Sequence, residues 1–504
     1  MKRLSRLLLF TFLISTGKAA FAVDSLPLWE AMERAAQSNP VIKSQQVEVS
    51  QRTLEQEIAS SQHLPKIDLN ASYSRYAYPT FVTPIRETGI FPPMDRDIAN
   101  INLALSLPLY SGGKLVAGEA LAAHNREASV QALRGGGQDL LFNVAATYTK
   151  ALHFRQLIKV LDARIKALQQ EENDIELRIK QGRAARLELI RLRTQLSQAR
   201  YDKVSVIQGE KDALSLLTSL LGESGDAPIL FELGTTAPLL PVSAEEAMGH
   251  AMQQRPDILG LDAIGKAAQQ KTAIARGDRL PQINLVTKVQ ESAGGNWEGY
   301  DDWQIGVQLS LPLFDGNIRK RRVDQASLEQ RKNALQQEDA RNRIASEVEQ
   351  AFGALSESRA RMEAATQGEA EANEALRIET LRYHSGENTI TDLLGAESAL
   401  WSATASRLQA GYDVTVSQAR LLRATGELAA DSFRPAATSK KSGAEHSSIG
   451  IDPHTLVQYL TWHRCGLTCG GKPAGQNANA STSPRQRLAA TNLPGHSILQ
   501  GVRL

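Results

Sequence analysis

The chain has few cysteines, few aromatic residues and almost no excess of charge. Its only cysteines, Cys465 and Cys469, stand far from the amino terminus, so no lipid anchor on a first mature cysteine is expected. Aromatic residues make up 5% of the 504 residues. The net charge is only +2, so the composition does not indicate a basic surface for nucleic-acid binding. The long middle stretches are rich in Ala, Gln, Glu, Arg and Leu, a composition typical of long helices.

The amino terminus has the pattern of a secretory signal. A basic start is followed by the apolar run Leu7–Ile14 and by Ala20-Phe21-Ala22, which fits a small-x-small cleavage site. We therefore expect a signal peptide over 1–22. No later run is long and apolar enough for a membrane-spanning helix. If the exported chain crosses a membrane, it must do so as a closed barrel.

The sequence contains a long internal duplication. Leu64-Pro65-Lys66-Ile67 returns as Leu280-Pro281-Gln282-Ile283, and Leu105–Gly112 returns as Leu309–Gly316. Matching residues are 216 positions apart before the strands and 204 apart after them, so the first half has 12 extra residues between its two strands. A duplication of this length predicts one fold built from two repeats.

The duplication sets the expected domain boundaries. The first repeat covers 23–228, a linker covers 229–242, and the second repeat covers 243–432. The remaining segment, 433–504, is rich in Ser, Thr, Gly, Pro and Lys, and we expect it to be disordered. The spacing of Cys465 and Cys469 fits a metal site poorly. A disulfide or an unstructured tail is therefore favoured there.

Four segments alternate apolar and polar residues with period two, at about 66–78, 99–109, 282–291 and 302–313. Each is about 10 residues long, enough for a tilted strand to cross a bilayer. The polar face could meet bulk water or line a lumen. Export and an aromatic cluster near the turns favour a membrane: Tyr73, Tyr76, Tyr78, Trp297, Tyr300 and Trp303. Four strands cannot enclose a channel, so several chains must share one barrel.

Two long stretches, Lys114–Gly222 and Asn317–Gly426, have a helical pattern with a coiled-coil period. Gly182 and Gly386 mark the expected turns, which makes each helix before the turn about 100 Å long. Such hairpins suit a rod or tube that crosses a compartment. Gly135-Gly136-Gly137 is expected to interrupt the first of them with a local kink.

Together these residues resemble the TolC-like outer-membrane efflux proteins. The resemblance covers about Leu26–Leu428 and rests on both Leu-Pro-x-Ile strand entries, both Leu-x-Leu-Pro-Leu strand exits and both hairpin turns. It implies a mainly α fold with a small β part. A homotrimer would share a 12-stranded outer-membrane β-barrel in contact with lipid and a periplasmic helical barrel. It also implies two partners, a periplasmic adaptor protein and an inner-membrane transporter.

The resemblance places a gate at the hairpin tips. Glu188 and Asp392 each follow a hairpin glycine by six positions, where the family has acids lining the closed end. Three copies of Asp392 would form a ring that attracts cations and has a raised pKa. Tyr383 matches the aromatic lock position, and Gly182 and Gly386 mark where the adaptor docks. The chain differs from the family at two positions, with Asn388 replacing the basic lock residue and Gly395 replacing a second acid.

Two alternatives to the exit duct of a small-molecule efflux pump remain. The same fold could serve as the exit duct of a type I, ATP-driven protein secretion system. An exported coiled-coil scaffold or adhesin without a pore is the alternative from another class. The sequence contains no recognisable pair of catalytic nucleophile and general base, and no phosphate-binding loop. An enzyme is therefore not expected, and neither is a cofactor or a metal site.

Overall fold

The computed structural model describes residues 25–223, 230–231, 238 and 240–434. The predicted signal peptide, most of the predicted linker, and the tail beyond residue 434 with both cysteines lie outside the described residues. None of the described helices contains an 18-residue stretch apolar enough to cross a membrane.

The element order repeats along the chain. The first repeat contains β1 (Ser25–Leu26), α1 (Leu28–Ser38), α2 (Pro40–Ser61), β2 (Lys66–Phe81), β3 (Met94–Tyr110), α3 (Lys114–Lys180) and α4 (Arg186–Leu220). A short strand, β4 (Leu230–Phe231), pairs with β1 in parallel. The second repeat contains α5 (Ala244–Gln254), α6 (Pro256–Gly277), β5 (Gln282–Ala293), β6 (Gly299–Ser310), α7 (Ile318–Ser385) and α8 (Ile390–Thr425). A short 3-10 helix, Ala430–Phe433, follows.

The helices of the two repeats agree in length almost residue for residue. Helices α1 and α5 have 11 residues each, and α2 and α6 have 22 each. The long helices α3 and α7 have 67 and 68 residues, and α4 and α8 have 35 and 36. The predicted fold class, two repeats of long helical hairpins with strand pairs, is confirmed.

The four long strands form one antiparallel sheet in the order β2-β3-β5-β6. Strands β2 and β3 extend further toward their connecting turn than the predicted ranges, because Thr80 and Phe81 still pair with Asp95 and Met94 beyond a register shift. Strand β6 covers Gly299–Ser310 rather than about 302–313. Pro312 has no backbone N–H to continue the ladder.

The sheet has one apolar and one polar face. Residues directly opposite each other in an antiparallel pair point to the same side, so the pairing register fixes each face. The apolar face includes the row Leu69, Leu103, Val289 and Trp303, and the row Ile67, Leu105, Thr287 and Ile305. The polar face includes the row Asn70, Asn102, Gln290 and Asp302, and the row Asp68, Ala104, Lys288 and Gln304. Apolar residues on the first face are left largely exposed, for example Leu69 at 68%.

The matching helices α2 and α6 both begin with proline, but their preceding residues act differently. The Asn39 side chain accepts a hydrogen bond from the Val41 backbone N–H (2.8 Å) and donates one to the Leu220 carbonyl (2.9 Å). At the equivalent position, the Arg255 guanidinium forms ion pairs with Asp257 (2.8 Å) and Glu347 (2.6 Å). Asn39 therefore caps its own helix and ties it to α4, whereas Arg255 ties α6 to α7.

The predicted interruption at Gly135-Gly136-Gly137 is wrong, because α3 continues through the three glycines. The side-chain amide of Gln45 on α2 occupies the space that a Cβ at Gly136 would take.

Three apolar clusters hold the described helices together. One packs α1 against α3, α4 and α8, with Met32 and Tyr148 fully buried and the Tyr148 hydroxyl donating to the Leu26 carbonyl (2.9 Å). A second joins α5 and α6 to α7 and α8 around Val348 and Leu421. The third joins the free ends of the two hairpins around Ile175 and Leu192. This last cluster brings together residues from both repeats and positions the candidate site.

Candidate gate at the hairpin tips

Both hairpin turns end their first helix in the same way. Gly182 and Gly386 adopt left-handed backbone conformations, with φ of 70° and 83°. In each turn the N–H that follows the glycine bonds back to a carbonyl of the last helical turn, from Arg183 to Arg178 and from Glu387 to Arg382, both at 2.8 Å. This is the Schellman pattern, in which glycine avoids the steric cost of positive φ. The two predicted turns are therefore built alike.

Glu188 lies three residues after the N-cap of α4 and uses both carboxylate oxygens. Its Oε1 accepts a hydrogen bond from the Ala185 backbone N–H (3.2 Å), which caps the helix. Its Oε2 accepts from the Tyr383 hydroxyl of the other hairpin (3.2 Å). The structure thus brings together two of the predicted gate residues, one from each repeat.

Tyr383 is buried, with 5% of its surface exposed. Burial, followed by the negative charge of Glu188, raises the pKa of the Tyr383 phenol. The hydroxyl therefore keeps its proton and acts as the donor in the bond to Glu188. The guanidinium of Arg178 lies over the Tyr383 ring, 5.1 Å from its centre. Arg178 also forms a hydrogen bond with Nδ1 of His384 (2.7 Å).

Asp392 occupies the equivalent N-terminal position of α8 but forms no hydrogen bond or ion pair with the other hairpin among the described residues. Its Oδ2 accepts hydrogen bonds from the Thr389 hydroxyl (2.6 Å) and backbone N–H (3.0 Å). The Thr389 hydroxyl lowers the pKa of the Asp392 carboxyl, with a further contribution from the backbone N–H. Within one chain this shift is opposite to the rise expected for a ring of three carboxylates. The cap is therefore present above the usual carboxyl pKa and is lost as the pH falls through the lowered pKa.

Asn388 does not bridge the hairpins within the described residues. Its side-chain amide donates to Oε2 of Glu379, which belongs to the same hairpin. Gly395, at the position of the family's second acid, is exposed. Among the described residues, no hydrogen bond or ion pair joins Asn388 or Asp392 to Glu188 or Tyr383. The predicted set of four therefore divides into one cross-hairpin pair and two residues held within the second hairpin.

Further contacts between the hairpins were missed by the sequence analysis. Arg191 of α4 donates a hydrogen bond to the Thr391 hydroxyl of α8. Arg164 of α3 forms a two-pronged ion pair with Glu397 of α8, at 2.7 and 3.0 Å, and only 6% of the Arg164 side chain is exposed. Trp401 lies beside the same guanidinium at 5.6 Å. A signal was available, since Arg164 interrupts the apolar seam of α3 between Leu161 and Leu168.

One carboxylate beside the cluster is poorly compensated. Glu171 of α3 has a buried Oε1 with no hydrogen-bond partner among the described residues. Burial raises its pKa, while the nearby His384 and Arg178 act in the opposite direction. No group of three or more potential metal ligands occurs in the described part of the chain. The contacts described between the two hairpins are hydrogen bonds and ion pairs such as Tyr383–Glu188 and Arg164–Glu397.

Comparison with known proteins gives consistent matches over both repeats. The family model described as outer membrane efflux protein matches residues 31–223 and 247–427. The chain is 26% identical over 437 residues to the alkaline protease secretion protein AprF of Pseudomonas aeruginosa, covering 84% of this chain and 88% of AprF. It is 21% identical over 419 residues to the outer membrane protein TolC of Escherichia coli, covering 80% and 82%. The Campylobacter jejuni CmeC outer membrane channel superposes with a TM-score of 0.68 at 20% identity, covering 82% of this chain and 88% of CmeC.

These matches confirm the family inferred from the duplicated motifs. The family model also confirms the outer-membrane location and the function of an efflux-type channel rather than an enzyme. Since the family model spans most of both repeats, the chain belongs to the outer membrane efflux protein family.

Proposed function

We propose that three copies of the chain form the exit duct of a tripartite efflux pump. Their sheets join into one 12-stranded barrel in the outer membrane, and their helical hairpins form a tunnel through the periplasm. A periplasmic adaptor docks at the tips around Gly182 and Gly386 and connects the duct to an inner-membrane transporter. Small molecules then pass from the transporter to the outside.

The observation that carries this proposal is the four-stranded sheet, which has two free edges and one face that is apolar over the rows of Ile67 and Leu69. The outer strands β2 and β6 each have one side without a neighbour in the described chain. In lipid, each unpaired backbone group would cost several kcal/mol. Pairing β6 of one copy with β2 of the next removes both edges. The exposed apolar side chains, such as Ile305 at 63% and Val307 at 64%, then face lipid.

The tip supplies the gate in this proposal. The Tyr383–Glu188 bond and the Arg191–Thr391 bond join the two hairpins of one chain. A bore closed at the tips opens only when the hairpins move apart, so these bonds stabilise the closed state. Asp392 is exposed and, among the described residues, its side chain bonds only to groups of its own hairpin. Its charge is therefore available to face the other two copies and to attract cations into the narrow end.

Single-channel recording tests the duct and the gate together. Wild type, Asp392→Ala and the control Glu363→Ala would be purified from outer membranes in detergent and inserted into a planar bilayer. Glu363 is an exposed acid on α7 with no ion pair among the described residues. We expect wild type to show a small, cation-selective conductance. Asp392→Ala should lose the selectivity or show a larger conductance, whereas Glu363→Ala should behave like wild type. A pore that both variants leave unchanged would refute the Asp392 gate, and the absence of any pore would refute the duct.

A second candidate is the exit duct of a protein secretion system. It is favoured by the similarity to AprF, whose name describes secretion of an alkaline protease. Deleting the gene separates the two. Loss of one protein from the culture medium without a change in drug susceptibility would support secretion, whereas increased susceptibility with unchanged secreted proteins would support efflux.

A further inference from the structure

In the rows where all four strands pair, the polar face of the sheet has as many positive as negative side chains. These rows contain four charged residues, Lys66, Asp68, Lys288 and Asp302. Arg96 of β3 lies on the same face but beyond these rows, nearer the turn. The other positions on this face carry mainly amide and hydroxyl side chains. None of the four charges lies in an ion pair with another side chain of the described chain. The rows paired across all four strands are therefore hydrophilic and carry no net charge.

Asp68 and Lys288 lie in the same cross-strand row. Ala104 of β3 is directly opposite Asp68 on one side and Lys288 on the other. Neighbouring strands are about 4.8 Å apart, so the two charged residues stand about 10 Å apart along the row. This separation is too long for an ion pair. It is about one Debye length at 0.1 M salt, so each charge still reduces the electrostatic potential that the other creates.

We propose that Asp68 and Lys288 are a compensating pair that prevents the barrel from selecting cargo by charge. The inference rests on the proposed function, because it requires the polar face to line the lumen. Every copy supplies one negative and one positive charge to the row, so a cargo of either sign meets a balanced lining. Selection by charge is then confined to the hairpin tips, where Asp392 forms no ion pair across the hairpins among the described residues.

A cysteine at Ala104 can report the potential between the two charges. The background chain has Cys465 and Cys469 replaced by serine, and the trimer is reconstituted in bilayers. A cationic and an anionic methanethiosulfonate of similar size are added from outside. The ratio of their reaction rates at Ala104→Cys is then measured in otherwise wild-type chain, in Lys288→Gln, in Asp68→Asn and in the double variant.

We expect opposite shifts from the two single variants. Lys288→Gln should change the rate ratio about threefold in favour of the cationic reagent at 0.1 M salt, and Asp68→Asn about threefold in favour of the anionic one. The double variant should return to the wild-type ratio, and 1 M salt should nearly abolish every shift. Lys332→Gln removes an equal charge from α7, about 20 Å beyond the start of that helix, and should change nothing.

The outcomes separate this inference from the proposed function. If Ala104→Cys reacts but its ratio is the same in all variants, the compensating pair is wrong and the luminal face stands. A second reporter, Thr287→Cys, lies on the apolar face in the neighbouring row. If Thr287→Cys reacts and Ala104→Cys does not, the luminal assignment is wrong and the inference fails with it.

Discussion

Replacing Tyr383 with phenylalanine removes one hydroxyl from the contact between the two hairpins and leaves the aromatic ring in place. The ring keeps its burial and its contact with the guanidinium of Arg178. Only the hydrogen bond to Oε2 of Glu188, at 3.2 Å, is lost. The variant therefore isolates one bond that the open state of the proposed duct cannot make.

The size of the effect follows from the environment of this bond. A hydrogen bond to a charged group contributes about 1.5–3 kcal/mol when buried. Glu188 is partly exposed and regains water when the bond breaks, so about 1 kcal/mol is a suitable value for each chain. Three chains that open together would lose about 3 kcal/mol, which shifts the equilibrium between closed and open states more than about 100-fold.

The measurement is the open probability of single channels, combined in a double-mutant cycle with Glu188→Gln. Glutamine keeps an oxygen that can accept from the Ala185 backbone N–H, so the cap of α4 is retained. Each single variant should raise the open probability. The double variant should add little to Tyr383→Phe, because both substitutions weaken the same bond.

The result that would refute this reasoning is additivity. If the two substitutions act independently, with a coupling energy below about 0.3 kcal/mol, then the Tyr383–Glu188 bond does not stabilise the closed state. An open probability unchanged by Tyr383→Phe would carry the same meaning. A loss of trimers in both variants would instead show that the bond is needed for assembly, which also contradicts a role confined to gating.

Three other predictions concern the contacts around the tip. Arg164→Met should lower the free energy of unfolding, measured by thermal denaturation, by about 3–5 kcal/mol, because it leaves the Glu397 charge unpaired. Adding Glu397→Leu should restore most of the lost stability. Glu171→Gln should raise the denaturation temperature at pH 8 but not at pH 4, because burial raises the Glu171 pKa and the wild type loses stability as the carboxyl ionises. Thr389→Ala should speed hydrogen exchange in the first turn of α8 about fivefold at pH 7, as expected for a lost cap, whereas Thr389→Ser should not.

The sequence predicted the strands, hairpins and turns because their signals are local. Period-two alternation identifies strands from neighbouring residues, and a glycine at a helix end identifies a turn that needs positive φ. The contact of Arg178 with Tyr383 has no such signal, since the two residues come from different repeats and meet only through the relative rotation of two long hairpins. The uninterrupted helix at Gly135-Gly136-Gly137 is a similar case. Propensity predicts a break there, whereas α3 continues through the three glycines with the Gln45 side chain against Gly136.

The duplication also separates what the two acids of the proposed gate do. Glu188 and Asp392 stand six positions after their hairpin glycines, and each accepts a hydrogen bond from the N-cap backbone N–H of the helix that follows. That local role belongs to the repeat and needs no partner from the other half. Of these two acids, only Glu188 accepts a hydrogen bond from the opposite hairpin among the described residues, and the donor is the Tyr383 hydroxyl. Its carboxylate is therefore paired within its own chain. Asp392 keeps an exposed carboxylate whose pKa is lowered by Thr389, so it stays ionised at neutral pH. In the proposed trimer, Glu188 therefore holds the two hairpins of each chain together, and Asp392 supplies the charge that the three chains present to the bore.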